Sequence, residues 1–202
     1  MSSTSVYGTS GYDWYVPLSS LLTIPNAITV VRLGLLPVFV SLMADGRVVA
    51  GSFFFGALGF TDWIDGYIAR RFNQVSEFGK IIDPVADRLV FFVGITTAMY
   101  YGYFPVWFGV VILIREVSIA LVMVVGTLLG MERFAVTRLG KWATFALLCA
   151  VPWITIGAAG GVWVAFEVLG WLVGIPGIIV SYIAFFQYLP TVRANMSSKR
   201  RL

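Results

Sequence analysis

Six long apolar stretches, separated by short polar or glycine-containing breaks, dominate the pattern of the chain. They cover approximately residues 27–44, 48–70, 84–101, 104–129, 139–158 and 162–189. Each approaches or exceeds the roughly 20 residues that a helix needs to cross the hydrocarbon core of a bilayer. The pattern therefore predicts an all-α integral membrane protein with six transmembrane helices.

The segments that flank these stretches have a different character. Residues 1–16 are rich in Ser, Thr, Tyr and Gly and contain no Lys or Arg, unlike the basic start of a secretory signal, so we expect a disordered cytoplasmic leader. Residues 17–25 (PLSSLLTIP) are short and mildly apolar, which is typical of a helix lying in the membrane interface. We expect the membrane domain to cover residues 17–192 and a basic cytoplasmic tail to follow over 193–202.

Composition strengthens this prediction and restricts the chemistry. Of 202 residues, 59% are hydrophobic and 12% charged, whereas soluble domains carry about a quarter charged residues. The single Cys149 rules out an intrachain disulfide, and the absence of histidine removes the commonest general base and zinc ligand. A metal would have to be bound through oxygen, which favours magnesium, manganese or calcium. The net charge of +4 is too small to indicate a nucleic-acid partner.

The positions of the basic residues predict the orientation in the membrane. With the amino terminus inside, the outer turns contain Arg47 alone. The inner segments contain Arg71, Lys80, Arg133, Arg138, Lys141, Arg193, Lys199, Arg200 and Arg201. Because Lys and Arg concentrate on the cytoplasmic side of membrane proteins, we expect both termini and the Arg71–Lys80 connection to face the cytoplasm of a multi-pass protein of the cell membrane.

Four aspartates stand at the junction of the second and third apolar stretches. Asp62 and Asp65 are three residues apart, and Asp83 and Asp87 are four apart, so each pair lies on one face of its helix. Four clustered carboxylates repel one another and are costly in a membrane protein, and two divalent cations would remove that cost while forming a clamp for phosphoryl chemistry. Taken singly, each aspartate also fits a solvated helix end.

The same segment resembles a known family. The pattern D-x2-D-G-x2-A-R-x8-G-x3-D-x3-D is matched without a gap, and it is similar to that of the CDP-alcohol phosphotransferases. The matching positions are Asp62, Asp65, Gly66, Ala69, Arg70, Gly79, Asp83 and Asp87. The resemblance implies the fold of that family, six membrane helices preceded by an interfacial helix, and it implies a homodimer.

Roles for the motif residues follow from this resemblance. It implies that Asp62, Asp65, Asp83 and Asp87 bind two Mg²⁺ or Mn²⁺ ions and that Asp87 is also the general base. The resemblance also implies that five motif residues contact the CDP moiety of the lipid. They are Asp62, Gly66, Ala69, Arg70 and Gly79. The implied reaction transfers a phosphatidyl group from CDP-diacylglycerol to an alcohol and releases CMP.

The acceptor alcohol depends on the branch of the family. The segments I-P-N-A-I-T-V-V-R-L, D-P-V-A-D and I-R-E-V are most similar to the phosphatidylglycerophosphate synthase branch, whose acceptor is sn-glycerol 3-phosphate. Cardiolipin synthases of the same fold, whose acceptor is phosphatidylglycerol, are the alternative.

Cations outside the motif are candidates for binding the acceptor. We expect Arg115, Arg138 and Lys141 to contact its phosphate, since a buried phosphate needs charged partners. Arg115-Glu116 also fits an ion pair that locks helices together, and Arg138 and Lys141 also fit anchoring at the cytoplasmic interface. Arg32, within the first apolar stretch, fits the wall of a polar cavity.

A divalent-cation transporter is a more remote interpretation, because acidic residues among membrane helices also mark ion pathways. Its carboxylates would be spread along a path near the midplane. Here they are crowded at one end of two adjacent helices, beside Arg70 and Lys80. This arrangement suits an anionic ligand better than a transported cation.

Overall fold

The described part of the chain contains six long helices, as the apolar pattern predicted. The computed structural model describes the backbone of residues 24–72, 79–128 and 138–199, and the side chains of residues 27–61, 85–124, 126 and 139–187. The helices are α1 (Ile24–Ala44), α2 (Val48–Phe72), α3 (Gly79–Tyr100), α4 (Val106–Leu128), α5 (Arg138–Gly157) and α6 (Val164–Lys199), with a 3₁₀ turn at Gly161–Trp163 before α6. No strand occurs within these three backbone ranges.

Four helices contain apolar segments long enough to cross a bilayer. These segments are Ala27–Ala44, Val106–Val124, Leu139–Gly157 and Gly161–Gln187, and α2 contains a shorter one at Val48–Thr61. The apolar part of α2 is shorter because the rest of this helix carries Asp62 and Asp65. In α3 the apolar run likewise begins after Asp83, Asp87 and Arg88. The two helices that carry the aspartates are therefore polar at one end.

Several boundaries differ from the sequence-based expectation. The third helix begins at Gly79 rather than 84, so that Asp83 lies within α3 together with Asp87, and α6 continues to Lys199, beyond the predicted end at 189. The leader at 1–16 and all but the last two residues of the proposed interfacial helix lie outside the described residues, and both stay predictions.

Glycines allow the helices α5 and α6 to approach closely. A Cβ atom added at Gly170 would lie 2.8 Å from the backbone nitrogen of Ile154, and one at Gly174 would lie 3.1 Å from the Cβ atom of Ala150. Small residues drive helix association in lipid because they permit such backbone contact. The two helices pack along one another more extensively than any other pair in the described part of the chain.

The helices α2 and α3 pack closely at Phe55 and Gly94. A Cβ atom at Gly94 would be 2.0 Å from the ring of Phe55, which is buried in the core beside Phe39. A connection of six residues joins these helices, so they run antiparallel. At 1.5 Å per residue, Asp62 and Asp65 lie about 10–15 Å from the contact along α2, and Asp83 and Asp87 about 10–17 Å from it along α3. Both pairs therefore lie at the same level of the bundle.

The other end of the bundle is closed by tight turns and aromatic packing. Gly46 and Gly102 adopt positive φ values of 69° and 76°, a conformation that glycine accepts without steric cost. Trp107 stacks on Trp171 at a ring separation of 5.6 Å, and Phe108 lies 5.0 Å from Trp171. The acidic ends of α2 and α3 therefore lie at the end of the bundle away from this aromatic cluster.

We predict that Gly94→Ala destabilises the protein, because its methyl group has no space against Phe55. Overpacking of this kind costs about 1–3 kcal/mol, and we expect a lower midpoint of thermal unfolding in detergent. Gly34→Ala is the matched control, since a Cβ atom there meets nothing within 4 Å. Equal midpoints for the two variants would contradict this close packing of α2 against α3.

Candidate active site

All six helices contribute to the wall of one cavity of about 450 Å³. Its polar and charged lining residues are Arg32 of α1, Asp87 and Arg88 of α3, Arg115 and Glu116 of α4, Thr144 of α5 and Ser181 of α6. The rest of the wall consists of glycine, alanine and apolar side chains, among them Leu58, Val90, Ile119, Val122, Leu148 and Phe185. The cavity therefore offers both charged groups and an apolar surface to one ligand.

Asp87 is held at the cavity by an ion pair with Arg32. The Arg32 Nη1 atom donates to Asp87 Oδ1 at 2.7 Å, and the arginine side chain is 3% exposed whereas that of the aspartate is 39% exposed. The buried guanidinium thus fixes one carboxylate oxygen while the side chain stays accessible from the cavity. This contact also joins α1 to α3 across 55 residues of sequence.

A second charged group centres on Glu116 of α4. Arg115 Nη1 is paired with Glu116 Oε1, and Arg115 Nη2 donates to Thr144 Oγ1 of α5 at 3.0 Å. Arg88 of α3 donates from Nη1 to the backbone carbonyl of Glu116 at 3.1 Å, with Glu116 Oε2 at 3.8 Å from the same nitrogen. These contacts connect α3, α4 and α5 at the cavity wall.

Arg115 has binding capacity that its protein contacts do not use. Its side chain is 4% exposed, and its buried Nε atom has no hydrogen-bond partner among the described residues. A buried donor left without a partner costs free energy. Arg115 lines the cavity, and the guanidinium carries five N–H donors, so a ligand oxygen bound there would meet a charged donor.

The structure brings some of the predicted site residues together and does not describe the side chains of others. Asp87 and Arg115 line the cavity, and Arg32 does so as its position in the first apolar stretch indicated. Lys141 is exposed and is not among the lining residues, although Gly140 and Thr144 on either side of it are. The backbone places Arg138 at the start of α5.

For most of the motif, the structure gives the backbone alone. Asp62, Asp65, Gly66, Ala69 and Arg70 lie on the last three turns of α2, and Gly79 and Asp83 lie on the first turns of α3. Their assignment to metal and nucleotide binding stays a prediction.

Arg88, Thr144 and Ser181 are cavity residues that the sequence did not single out. Arg88 follows Asp87 directly, and its adjacency to the motif was the one available signal. Thr144 and Ser181 lie in apolar stretches, where a lone hydroxyl has no distinguishing spacing. Such residues commonly bond the preceding turn of their own helix, as Thr144 does to the Gly140 carbonyl at 3.0 Å.

The donor set at this end of the bundle suits hard divalent cations. The described side chains contain no cluster of three or more His, Cys, Asp or Glu residues, so Asp87 alone does not make a metal site. The backbone register puts three further aspartates on the same ends of α2 and α3. Carboxylate oxygens without histidine or cysteine are the ligands that Mg²⁺ and Mn²⁺ prefer, and the residues present therefore fit such ions.

Comparison with known proteins identifies the family. A family model described as CDP-alcohol phosphatidyltransferase matches residues 22–180. The chain is 35% identical over 176 residues to a Mycobacterium tuberculosis protein provisionally named a cardiolipin synthase, with 83% of this chain and 81% of that protein covered. It is 34% identical over 146 residues to the CDP-diacylglycerol–glycerol-3-phosphate 3-phosphatidyltransferase of Bacillus subtilis, with 65% and 75% covered.

A third relative is the CMP-forming cardiolipin synthase of Streptomyces coelicolor. It is 31% identical over 189 residues, with 88% of this chain and 86% of that protein covered. A helical membrane bundle with a charged cavity at one end is what a membrane-embedded transferase of charged lipid substrates requires. The chain belongs to the CDP-alcohol phosphatidyltransferase family. It is accordingly a transferase of phospholipid biosynthesis, as the motif predicted.

Proposed function

We propose that the protein transfers the phosphatidyl group of CDP-diacylglycerol to sn-glycerol 3-phosphate, giving phosphatidylglycerophosphate and CMP. The observation that carries this proposal is the cavity itself, where the Asp87 carboxylate, three arginines and an apolar wall meet. A phosphoryl transfer between a lipid donor and a charged alcohol needs these three elements: a proton acceptor, cations for phosphate oxygens, and a surface for acyl chains.

The donor would occupy the cavity from the side of the aspartate motif. Its diphosphate and cytidine would lie against Gly66, Ala69, Arg70 and Gly79, where the glycines leave room for a nucleotide beside the helix backbones. The diacylglycerol portion would contact the apolar wall, which includes Val122 and Phe185. Met123 of α4 also lines the cavity, and the exposed Phe186 follows the lining residue Phe185 on α6.

The reaction is a displacement at the phosphorus that bears the diacylglycerol. The acceptor hydroxyl forms a new P–O bond, the bond to the CMP oxygen breaks with its electron pair, and the hydroxyl proton passes to Asp87. Arg32 keeps the Asp87 side chain directed at the cavity, and this positioning contributes to general base catalysis. The product is a phosphatidyl alcohol.

Divalent cations complete this proposal. Asp62, Asp65, Asp83 and Asp87 would hold two Mg²⁺ or Mn²⁺ ions, which neutralise the charge that develops on the diphosphate as CMP leaves. The four carboxylates come from adjacent turns of α2 and α3. The protein's own part is to keep these turns at one level, which the Phe55–Gly94 contact supports.

Arg115 supports a phosphorylated acceptor. Glycerol 3-phosphate carries a phosphate with nearly two negative charges, and charge-assisted hydrogen bonds to guanidinium groups are the strongest that a protein offers. Arg115 lines the cavity, and Glu116 and Thr144 engage two of its five N–H groups, which leaves donors for such a bond. Arg138 and Lys141, on the first turn of α5, would attract the phosphate from the cytoplasmic side.

Phosphatidylglycerol is the second candidate acceptor. It also presents a glycerol hydroxyl next to a phosphate, although this phosphodiester has a single negative charge. The relatives named as cardiolipin synthases are 35% identical over 176 residues and 31% identical over 189 residues, whereas a Shigella flexneri glycerol-3-phosphate enzyme is 29% identical over 179 residues. The higher identity over a comparable length is the specific observation in favour of the cardiolipin reaction.

The cavity would face the cytoplasm, and two copies of the chain would form a homodimer. The orientation is supported by the basic residues at the cavity end of the bundle and by Arg47 at the opposite end, because Lys and Arg concentrate on the cytoplasmic side. The homodimer rests on the family resemblance alone.

A panel of acceptors tests the proposed function. Purified protein in detergent is given CDP-diacylglycerol and Mg²⁺ together with glycerol 3-phosphate, phosphatidylglycerol, inositol phosphate or serine, and CMP release and the mass of the lipid product are measured. We expect phosphatidylglycerophosphate, and no CMP release when the metal is chelated. If the protein turns over phosphatidylglycerol and does not react with glycerol 3-phosphate, phosphatidylglycerol is the acceptor. Inactivity with every acceptor would overturn the proposed function.

Asparagine variants separate the base from the metal ligands. Asp87→Asn should slow turnover by about 10²–10⁴-fold, the usual contribution of general base catalysis, while CDP-diacylglycerol binding is largely kept. Asp62→Asn should lose both turnover and binding, because that carboxylate is expected to hold metal against the diphosphate. Binding is measured by titration with the lipid in the presence of Mg²⁺. An equal loss of binding in the two variants would show that Asp87 acts mainly as a metal ligand.

A further inference from the structure

Glu116 lies between two arginines of the cavity, in a position that no role in the proposed chemistry requires. One oxygen of its carboxylate pairs with Arg115, and the other lies 3.8 Å from Arg88. Its side chain is 17% exposed, so it is largely withdrawn from water. A carboxylate beside a phosphate site lowers the attraction for an anion, and its presence there therefore needs a positive explanation.

The geometry of the Arg115–Glu116 pair provides that explanation. Neighbouring residues of a helix point about 100° apart and do not normally face each other. Here the two side chains turn towards each other, and the second guanidinium nitrogen of Arg115 is taken by Thr144 of α5 at 3.0 Å. With Nη1 and Nη2 both engaged, the guanidinium plane is fixed at two points.

Glu116 and Thr144 engage two of the five N–H groups of the Arg115 guanidinium, which leaves donors on the same group for a ligand. Its Nε atom is buried and has no hydrogen-bond partner among the described residues. An arginine that is free to rotate would lose side-chain entropy each time it bound a phosphate. An arginine already held in one orientation does not incur that loss, which is the general advantage of a preorganised site.

Glu116 also connects this arginine to the helix that carries Asp87. Arg88, which follows Asp87 in α3, donates to the backbone carbonyl of Glu116 at 3.1 Å. The same residue therefore orients Arg115 through its carboxylate and joins α3 to α4 through its carbonyl. These contacts connect the helix that carries Arg115 to the helix that carries Asp87.

We propose that Glu116 is a positioning residue: it holds Arg115, together with Thr144, in the orientation that presents the guanidinium to the phosphate of the acceptor. The proposal rests on the proposed function, in that it assigns the acceptor phosphate to Arg115. It adds a residue whose negative charge strengthens anion binding by ordering a neighbouring cation.

The test compares Glu116→Gln with the wild-type enzyme in steady-state kinetics, varying each substrate in turn. Glutamine keeps the size of the side chain and loses its charge, so one charge-assisted contact to Arg115 becomes a neutral one. We expect the KM for glycerol 3-phosphate to rise about tenfold, the effect of weakening one hydrogen bond to a charged group, with the KM for CDP-diacylglycerol unchanged. Glu116→Asp, which retains the charge, should recover part of the acceptor affinity.

Two further variants guard against a general structural effect. Thr144→Val removes the second fixed point of the guanidinium without changing the charge, and we expect a smaller rise in the same KM. Glu167→Gln also removes one carboxylate, but from the first turn of α6, where its contact is to Trp171, and its kinetics should match those of the wild type. Equal acceptor KM values for Glu116→Gln and Glu167→Gln would overturn the proposal.

Calorimetric titration with inorganic phosphate separates this proposal from the proposed function. We expect wild-type protein to bind phosphate and Glu116→Gln to bind it about tenfold more weakly. Binding with this difference, in a protein that turns over no acceptor, would overturn the proposed function and support the role of Glu116. Failure of the wild type to bind phosphate, or equal binding by both proteins, would overturn the role of Glu116 whatever the acceptor panel shows.

Discussion

The ion pair between Arg32 and Asp87 is the interaction on which the polar end of this bundle depends. An arginine that is 3% exposed within a membrane helix is expensive unless its charge is balanced, and a carboxylate at the cavity needs a partner for the same reason. Each residue neutralises the charge of the other in that position. The pair also connects α1 to α3, so the first helix takes part in placing the residue that we propose as the base.

The other charged residues of the cavity are also balanced by partners. Arg115 and Arg88 are both neutralised in part by Glu116, and Thr144 satisfies a further donor. The cations that a phosphate ligand needs are therefore present in the ligand-free protein without being isolated charges. At the opposite end, Trp107, Phe108 and Trp171 pack together. The charged cavity residues and this aromatic cluster thus lie at opposite ends of the helical bundle.

Much of this arrangement follows from the sequence because it depends on local spacing. The length of the apolar stretches gave six helices, and the intervals between the aspartates predicted one face for each pair. The family motif then identified the transferase class. Asp87 and Arg115 were both predicted as site residues, and both line the cavity.

The features that local spacing missed depend on contacts between distant helices. Arg32 and Asp87 are 55 residues apart, and Arg115 and Thr144 are 29 apart. Nothing in the pattern of either partner specifies the other. The alternative interpretation of Arg115 and Glu116, an ion pair that locks helices together, did not name the partners: the two residues pair on α4, and their contacts to other helices are with Arg88 and Thr144. The end of α6 was also placed too early, because a hydropathy pattern marks where a helix leaves the bilayer and not where it stops.

A double-mutant cycle on the Arg32–Asp87 pair tests the central claim most directly. CMP release from CDP-diacylglycerol is measured for the wild type, Arg32→Gln, Asp87→Asn and the double variant, under identical metal and acceptor concentrations. If Arg32 acts by holding Asp87, its removal should slow the wild type substantially and should have little further effect once Asp87 is absent, because contacting residues that act together are not additive. The same fold-reduction from Arg32→Gln in both backgrounds would contradict the account.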